Sequence, residues 1–312
     1  MSVDTAPTLA DGVAGATATD VTSPEPAPRS PSRSLSPSRA SDFMSCPLRY
    51  RFRVIDRLPE APSPAAARGT LVHAVLDELF GLPAGQRTVA AAEAMLAPAW
   101  EQLLAEEPEL GEMFPDGVGL EDWFAGARTL LAAYFALEDP TRLAPAAREL
   151  LVEHELASGL VLRGIIDRLD EAPGDLLRVV DYKTGSAPGE AFEGRALFQL
   201  KFYALVLWRT RGVVPAELTL LYLGGRSERL RYRPDAAELQ AFERTLLALW
   251  TAIERAQTTG DWRARPSALC SWCDHHVRCP AFGGTPPPLP EWAAAGAALP
   301  PEPPVERVDI LG

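Results

Sequence analysis

Apolar residues recur along this chain with two different periods, and the change of period divides it. In GTLVHAVLDELFG, residues 69–81, Leu71, Val72, Val75, Leu76 and Leu79 fall at helical spacing and predict an amphipathic helix that Gly81 ends. Two further helical patterns cover about 88–105 and 121–137. From about residue 148 the pattern shortens: LLVEHELASGLVLRGIIDRLD and LLRVVDYKTG are apolar and β-branched runs separated by Gly-bearing turns, which predicts successive antiparallel strands. A helix over about 192–209, a strand over 216–223 and a last helix over about 236–258 follow. The order helix, three strands, helix, strand describes an α/β core with a mixed central sheet flanked by helices, and the patterns at about 84–145 read as a helical insertion or lid. A doubly wound nucleotide fold is excluded, because no Gly-rich phosphate loop follows the first strand.

The ends differ in composition. Residues 1–34 are rich in Pro, Ser, Ala and Thr, bury too little to repay ordering, and are expected to be a disordered tail. Order is expected from about Leu35, where Ser38 or Ser41 would cap a short helix containing Phe43 and Met44 that Pro47 interrupts. Residues 59–68 read as a Pro/Ala linker, and 283–312 as a proline-rich tail that packs loosely or not at all, leaving 35–282 as the domain.

At 312 residues and 47% hydrophobic content the chain can build a substantial core. Its first residues lack a secretory pattern and no stretch near twenty apolar residues occurs, so a soluble, cytoplasmic protein with no membrane partner is expected. The net charge of -12 argues against broad attraction to nucleic acid, but it is unevenly spread. Residues 101–125 carry eight acids and no base, whereas residues 29–60 carry seven arginines against Asp42, Asp56 and Glu60. In CPLRYRFR, Arg49, Arg51 and Arg53 alternate with Tyr50 and Phe52, a pattern that fits phosphate contact with stacking, or a solvated arginine-rich face.

Lys183 is one of two lysines beside 28 arginines. Residues two apart on a strand share a face, so Asp181 and Lys183 project together, away from Val180 and Tyr182. A carboxylate beside an ammonium suits hydrolysis of a phosphodiester with a hard Mg2+ or Mn2+ ion, and lysine can orient or deprotonate a water where arginine stays a bulky, protonated fork. Asp167, in GIIDRLD, falls where its strand should be buried and needs either a metal or a cation such as Arg168. His73 is offset from its helix's apolar stripe, as a metal ligand or a hydrogen-bonded core residue. Arg195, Gln199 and Tyr203 recur every four residues on one helix face, as a phosphate clamp or an ordinary polar face.

Taken in order, GTLVH, GIIDRLD, VVDYKTG and QLKFY resemble the motifs of RecB-type nuclease domains of the PD-(D/E)XK superfamily, whose fold is the restriction-endonuclease-like one. The resemblance spans about Leu35 to Pro280. It implies His73, Asp167 and Asp181 as Mg2+ or Mn2+ ligands, Lys183 as the catalytic lysine, and Gln199 with Tyr203 in a motif supporting catalysis and DNA contact. Glu153 matches a commonly acidic position. The activity implied is that of a metal-dependent DNA exonuclease on single-stranded ends in repair or recombination. A CRISPR-adaptation nuclease shares the same motifs. A non-catalytic DNA-binding scaffold is the reading of another class, and it has no physical need for all of His73, Asp167, Asp181 and Lys183. No Walker-type phosphate loop occurs, so a motor would come from a separate helicase partner.

The four cysteines are Cys46 and then Cys270, Cys273 and Cys279 in CSWCDHHVRCP. In a large chain without a secretory pattern they suit a tetrahedral sulfur site, either zinc, to which His275 and His276 lend support, or iron–sulfur. One cysteine before the core and three after it resembles the iron–sulfur branch of the same superfamily, which includes AddB-type domains. That resemblance implies a 4Fe-4S cluster on these four thiols, joining the two ends of the domain.

Overall fold

The computed structural model describes residues 33–189, 193–290 and Ala293. Residues 1–32 of the tail expected to be disordered, and most of the C-terminal tail, lie outside them, whereas Ser34 is buried in a strand. Residues 283–290 are not loose: the Pro287 carbonyl accepts from Arg51, and Leu289 packs on the main core.

A short strand β1 (Ser34–Leu35) leads into α1 (Pro37–Ser45) and α2 (Pro47–Tyr50), and α2 runs on into a π-helical turn, Arg51–Ile55. Ser36, not Ser38 or Ser41, caps α1, because Pro37 supplies the preset first helical residue and the Ser36 hydroxyl accepts from the Arg39 N–H. The same device, Ser63 followed by Pro64, starts α3 (Pro64–Gly81), so the second half of the expected linker is helix. The insertion contributes α4 (Val89–Glu106) and α5 (Leu120–Leu137). Trp100, Phe114 and Trp123 meet between them at centroid distances of 4.9–6.0 Å. Those rings hold the acidic turn, and its eight acids all face solvent.

The sheet follows: β2 (Ala147–Glu155), β3 (Val161–Ala172) and β4 (Leu176–Lys183), then α6 (Glu193–Arg211), β5 (Glu217–Tyr222), β6 (Glu228–Tyr232) and α7 (Ala236–Thr259). Its order is β1-β3-β4-β5-β6, with β2 paired to β3; β4 and β5 run parallel and β3 and β4 antiparallel. The mixed α/β core with a helical insertion is therefore as expected. The sequence pattern missed β6, a short strand whose alternating charges suit an edge.

Alternation along β4 and β5 builds one core on each face. Val179, Leu218 and Leu220 join the core under α1, α6 and α7, whereas Val180, Tyr182 and Leu221 join a second core with α3, α4 and α5. Each fully buried Leu or Val here contributes about 1.5–3 kcal/mol, which fixes the register against a slip that would turn Asp181 into the apolar side.

Candidate active site

The site forms where two paired strands part. β3 and β4 hold their ladder from Ala172↔Leu176 to Arg168↔Val180 and no further. In place of the next rung, the Tyr182 N–H donates to the Asp167 carboxylate at 2.7 Å. That bond gives the buried Asp167 a backbone partner. Arg168 does not pair with it. Instead Arg168, wholly buried, turns to the other face and donates to Glu138, Asp170 and the Tyr182 hydroxyl at 2.8–3.1 Å.

His73 approaches from α3, whose apolar stripe packs beneath Val180 and Tyr182. Its Nε2 lies 3.0 Å from the Tyr182 carbonyl and its Nδ1 3.5 Å from Asp167 Oδ2. With Nε2–H donating to that carbonyl, Nδ1 presents its lone pair to the site, the tautomer this network favours.

Glu149 completes the group, and sequence reasoning missed it. The β2–β3 ladder runs unbroken in register from Ala147↔Leu169 to Glu155↔Val161 except at one position, where Glu149 stands opposite Asp167. Glu149 has φ of +41°, a left-handed conformation that breaks the rung. As a result, one ligand atom each from His73, Glu149 and Asp167 lie within 4.8 Å of one another. Glu153, the acid expected on this strand, instead stands 4.0 Å from Arg163.

Asp181 is 1% exposed, and among the described residues no donor apart from Lys183 Nζ at 2.6 Å reaches either of its oxygens. Lys183 also donates to Gln199 Oε1 at 2.7 Å, and Gln199 Nε2 donates to the Tyr203 hydroxyl at 2.7 Å. The chain Asp181, Lys183, Gln199, Tyr203 thus crosses from β4 to α6. Arg195 stands on α6, but its side chain lies outside the described residues.

Charges crowd here. Burial pushes the Asp181 carboxyl up to about 6, with Asp167 adding to it and Lys183 opposing. Loss of water and then the Asp167 charge push Glu149 up to about 7. Burial works against a charged His73, but the hydrogen bond and charge of Asp167 outweigh it and raise the imidazole to about 9. Crowded carboxylates, one held by no donor but Lys183 among the described residues, beside an imidazole are a hard oxygen and nitrogen donor set that could chelate a divalent ion of the Mg2+ or Mn2+ kind.

A family model of the PD-(D/E)XK nuclease superfamily matches residues 34–280. The chain belongs to that superfamily. Among proteins similar to this PD-(D/E)XK chain, the Gene 69 protein of Mycobacterium phage D29 is 27% identical over 272 residues, covering 78% of this chain and 96% of that protein. The Gene 69 protein of Mycobacterium phage L5 is 31% identical over 127 residues, 40% of this chain and 41% of that protein. The crystal structure of a candidate exonuclease from Eubacterium rectale superposes with a TM-score of 0.53 at 15% identity, covering 78% of this chain and 88% of the other, a likeness of fold. Superfamily membership supports a nuclease role with catalytic potential and contact with nucleic acid. Among the described residues no helix is long and apolar enough to cross a membrane.

The remaining candidate residues of this PD-(D/E)XK chain lie apart from the carboxylates. All four cysteines are free and partly buried, and no cysteine-ligated site is evident among the described residues. The Cys46 sulfur accepts from the Arg265 N–H, so the two ends of the domain do meet. His275 is buried with Nε2 on Glu60, and His276 stacks on Phe282. Of the three arginines in CPLRYRFR expected to bind phosphate, Arg51 is buried and bonded to Asp56, so it holds the fold. Arg53 is held by Asp42 and Glu60, and Arg49 lies 3.5 Å from Asp42 with its side chain 40% exposed.

Proposed function

We propose that this chain is a divalent-metal-dependent deoxyribonuclease of the RecB type, working as an exonuclease on single-stranded ends in repair or recombination. The observation that carries the reading is the placement of Lys183, whose ammonium is held between the Asp181 carboxylate and the Gln199 amide beside a convergent His, Glu and Asp group. In this reading His73, Asp167 and Asp181 hold Mg2+ or Mn2+, with Glu149 next to them. The bound ion supplies Lewis acidity toward the phosphate and a water made acidic enough to attack. Lys183 presents a compact positive charge where charge builds on the phosphoryl oxygens. Gln199 and Tyr203 fix that ammonium, and the Asp167 bond to Tyr182 fixes the backbone between Asp181 and Lys183. Arg49 and Arg195 contact phosphates, and strand separation belongs to a separate helicase.

A 4Fe-4S cluster on Cys46, Cys270, Cys273 and Cys279 is part of the proposal. Support comes from the order of the thiols, Cys46 before the core and the other three after it, and from the contact of the Arg265 N–H with the Cys46 sulfur, which brings the two ends together. The amides of Arg265 and Ser267 point at the Cys46 and Cys270 sulfurs at 3.4 and 3.3 Å, a feature that tunes such clusters.

The test is digestion by anaerobically purified protein of end-labelled single-stranded DNA, blunt duplex, closed circular DNA and RNA, each with Mg2+ or Mn2+. Progressive shortening of linear single strands with the circle intact is expected. Cutting of the circle would replace the exonuclease reading with an endonuclease one, and inertness toward every substrate would favour a binding scaffold.

A further inference from the structure

The cysteine-bearing segment carries an exposed apolar surface that the catalytic reading leaves unused. Trp272 is 85% exposed, Val277 75%, Leu269 59% and Phe282 46%, and all four lie within fourteen residues. A tryptophan this exposed is rare on a folded surface without a partner. The segment is not slack. Three short helical turns, Ala268–Trp272, His276–Arg278 and Pro280–Phe282, follow one another, tied by Cys273 N–H to Cys270 carbonyl, His276 to Cys273, Phe282 to Cys279 and Gly284 to Cys279. The His276 and Phe282 rings stack at 4.1 Å and 27°.

Its charge is opposite to the chain's. Residues 261–282 hold Arg263, Arg265 and Arg278 against Asp261 and Asp274, with Arg263 paired to Asp261, in a molecule of net charge -12. The Arg278 side chain is exposed and makes no ion pair or hydrogen bond among the described residues. Arg49, partly exposed, stands close enough to Cys273 to act on its thiol. Flat, solvent-facing rings on a rigid turn beside the unpaired Arg278 guanidinium match unpaired bases on a phosphate backbone, whereas the same patch meeting itself across a two-fold axis would set cation against cation.

The position is also within reach of the catalytic residues. Pro37, at the start of α1, packs with the Tyr203 ring around Gly164, and Cys46, just past the other end, accepts from Arg265. Nine residues of helix span about 13 Å. That is roughly four nucleotides of stacked strand at about 3.4 Å each.

We propose that Trp272, with Arg278 and the His276–Phe282 pair, is a base-stacking platform for single-stranded DNA, gripping the strand a few nucleotides from the carboxylate site. This rests on the nuclease reading above, and it assigns single-strand preference to a surface outside the catalytic group.

The test uses the full chain and Ca2+, with fluorescein-labelled oligothymidylate of twenty nucleotides and a matched strand carrying abasic sites. Trp272→Ala should weaken binding about tenfold, Trp272→Phe should recover most of it, and abasic sites should weaken wild type but not Trp272→Ala. Iron content and melting should match wild type, since the side chain is exposed. Cleavage of a trinucleotide, too short to reach the platform, should be unchanged by Trp272→Ala. If wild type binds and cleaves but Trp272→Ala binds equally well, the platform is overturned while the nuclease reading stands. Loss of a dimer on Trp272→Ala with DNA binding intact would assign the surface to self-association and also overturn it. If wild type neither binds nor cleaves DNA, both readings fall.

Discussion

The Arg168 guanidinium donates to the Tyr182 hydroxyl at 2.9 Å on the face of the sheet opposite Asp181. Tyr182 therefore joins two functions in one residue: its ring and hydroxyl are locked into the helical side, while its N–H and carbonyl meet Asp167 and His73. Glu138, just past the end of α5, shares the same arginine, so the insertion is bolted to the strand that carries the candidate catalytic pair.

Removing that bolt should be costly. Arg168→Met leaves Glu138 buried without its closest cation, and a lost partner of a buried pair costs about 3–5 kcal/mol. A large drop in melting temperature is expected, with partial recovery on adding Glu138→Gln, which removes the stranded charge. Equal melting of single and double variants would show that the pair is not what holds the insertion.

Glycine at 164 should matter through a neighbour's ring. A Cβ there would lie 2.6 Å from the Tyr203 ring, and Tyr203 is buried with its hydroxyl on Gln199. Gly164→Ala should displace Tyr203 and loosen the Gln199 hold on Lys183, lowering turnover about tenfold while costing about 1–3 kcal/mol of stability. Gly85→Ala, which meets nothing within 4 Å, is the control. Unchanged turnover in Gly164→Ala would remove Tyr203 from the positioning chain.

Much of this was legible in the sequence for identifiable reasons. The strand period alone placed Asp181 and Lys183 together, and the order helix, three strands, helix, strand followed from where the period changed. Glu149 was not legible by residue type, because the position expected to be acidic, Glu153, lies on the same strand four residues on. The signal that would have found it is the hairpin itself. Once Glu155 pairs with Val161, counting back along both strands sets Glu149 opposite Asp167. The arginine-rich stretch misled for a different reason: a sequence does not show that Asp42, Asp56 and Glu60 fold back onto Arg53 and Arg51.

Lysine at 183 should not be replaceable by arginine. The ammonium sits 2.6 Å from Asp181 and 2.7 Å from Gln199, a pocket for a point charge and not for a planar fork. Lys183→Arg should lower turnover by about 10²–10³-fold with metal affinity little changed. Near-normal turnover would show that any cation suffices.

Metal binding should compete with protons. His73, raised to about 9 from an ordinary 6.5, adds stability that is complete below the ordinary value and is lost as pH rises through the folded one. Glu149, raised to about 7 from 4.5, and Asp181, raised to about 6 from 3.8, cost stability as pH rises from the ordinary value through the raised one. Both signs agree, so metal-free protein should lose stability between about pH 4 and pH 9. A divalent ion takes the deprotonated set, so the rise in melting temperature on adding Mn2+ should grow across that interval. A constant increment would contradict the shifts.

The central claim is tested most directly by Mn2+ binding, followed by electron paramagnetic resonance, and digestion of end-labelled single-stranded DNA, both measured on wild type and on Asp181→Ala. Wild type should bind the ion and shorten the strand, and Asp181→Ala should lose the cleavage and bind Mn2+ at least tenfold more weakly. Full cleavage by Asp181→Ala would contradict the claim.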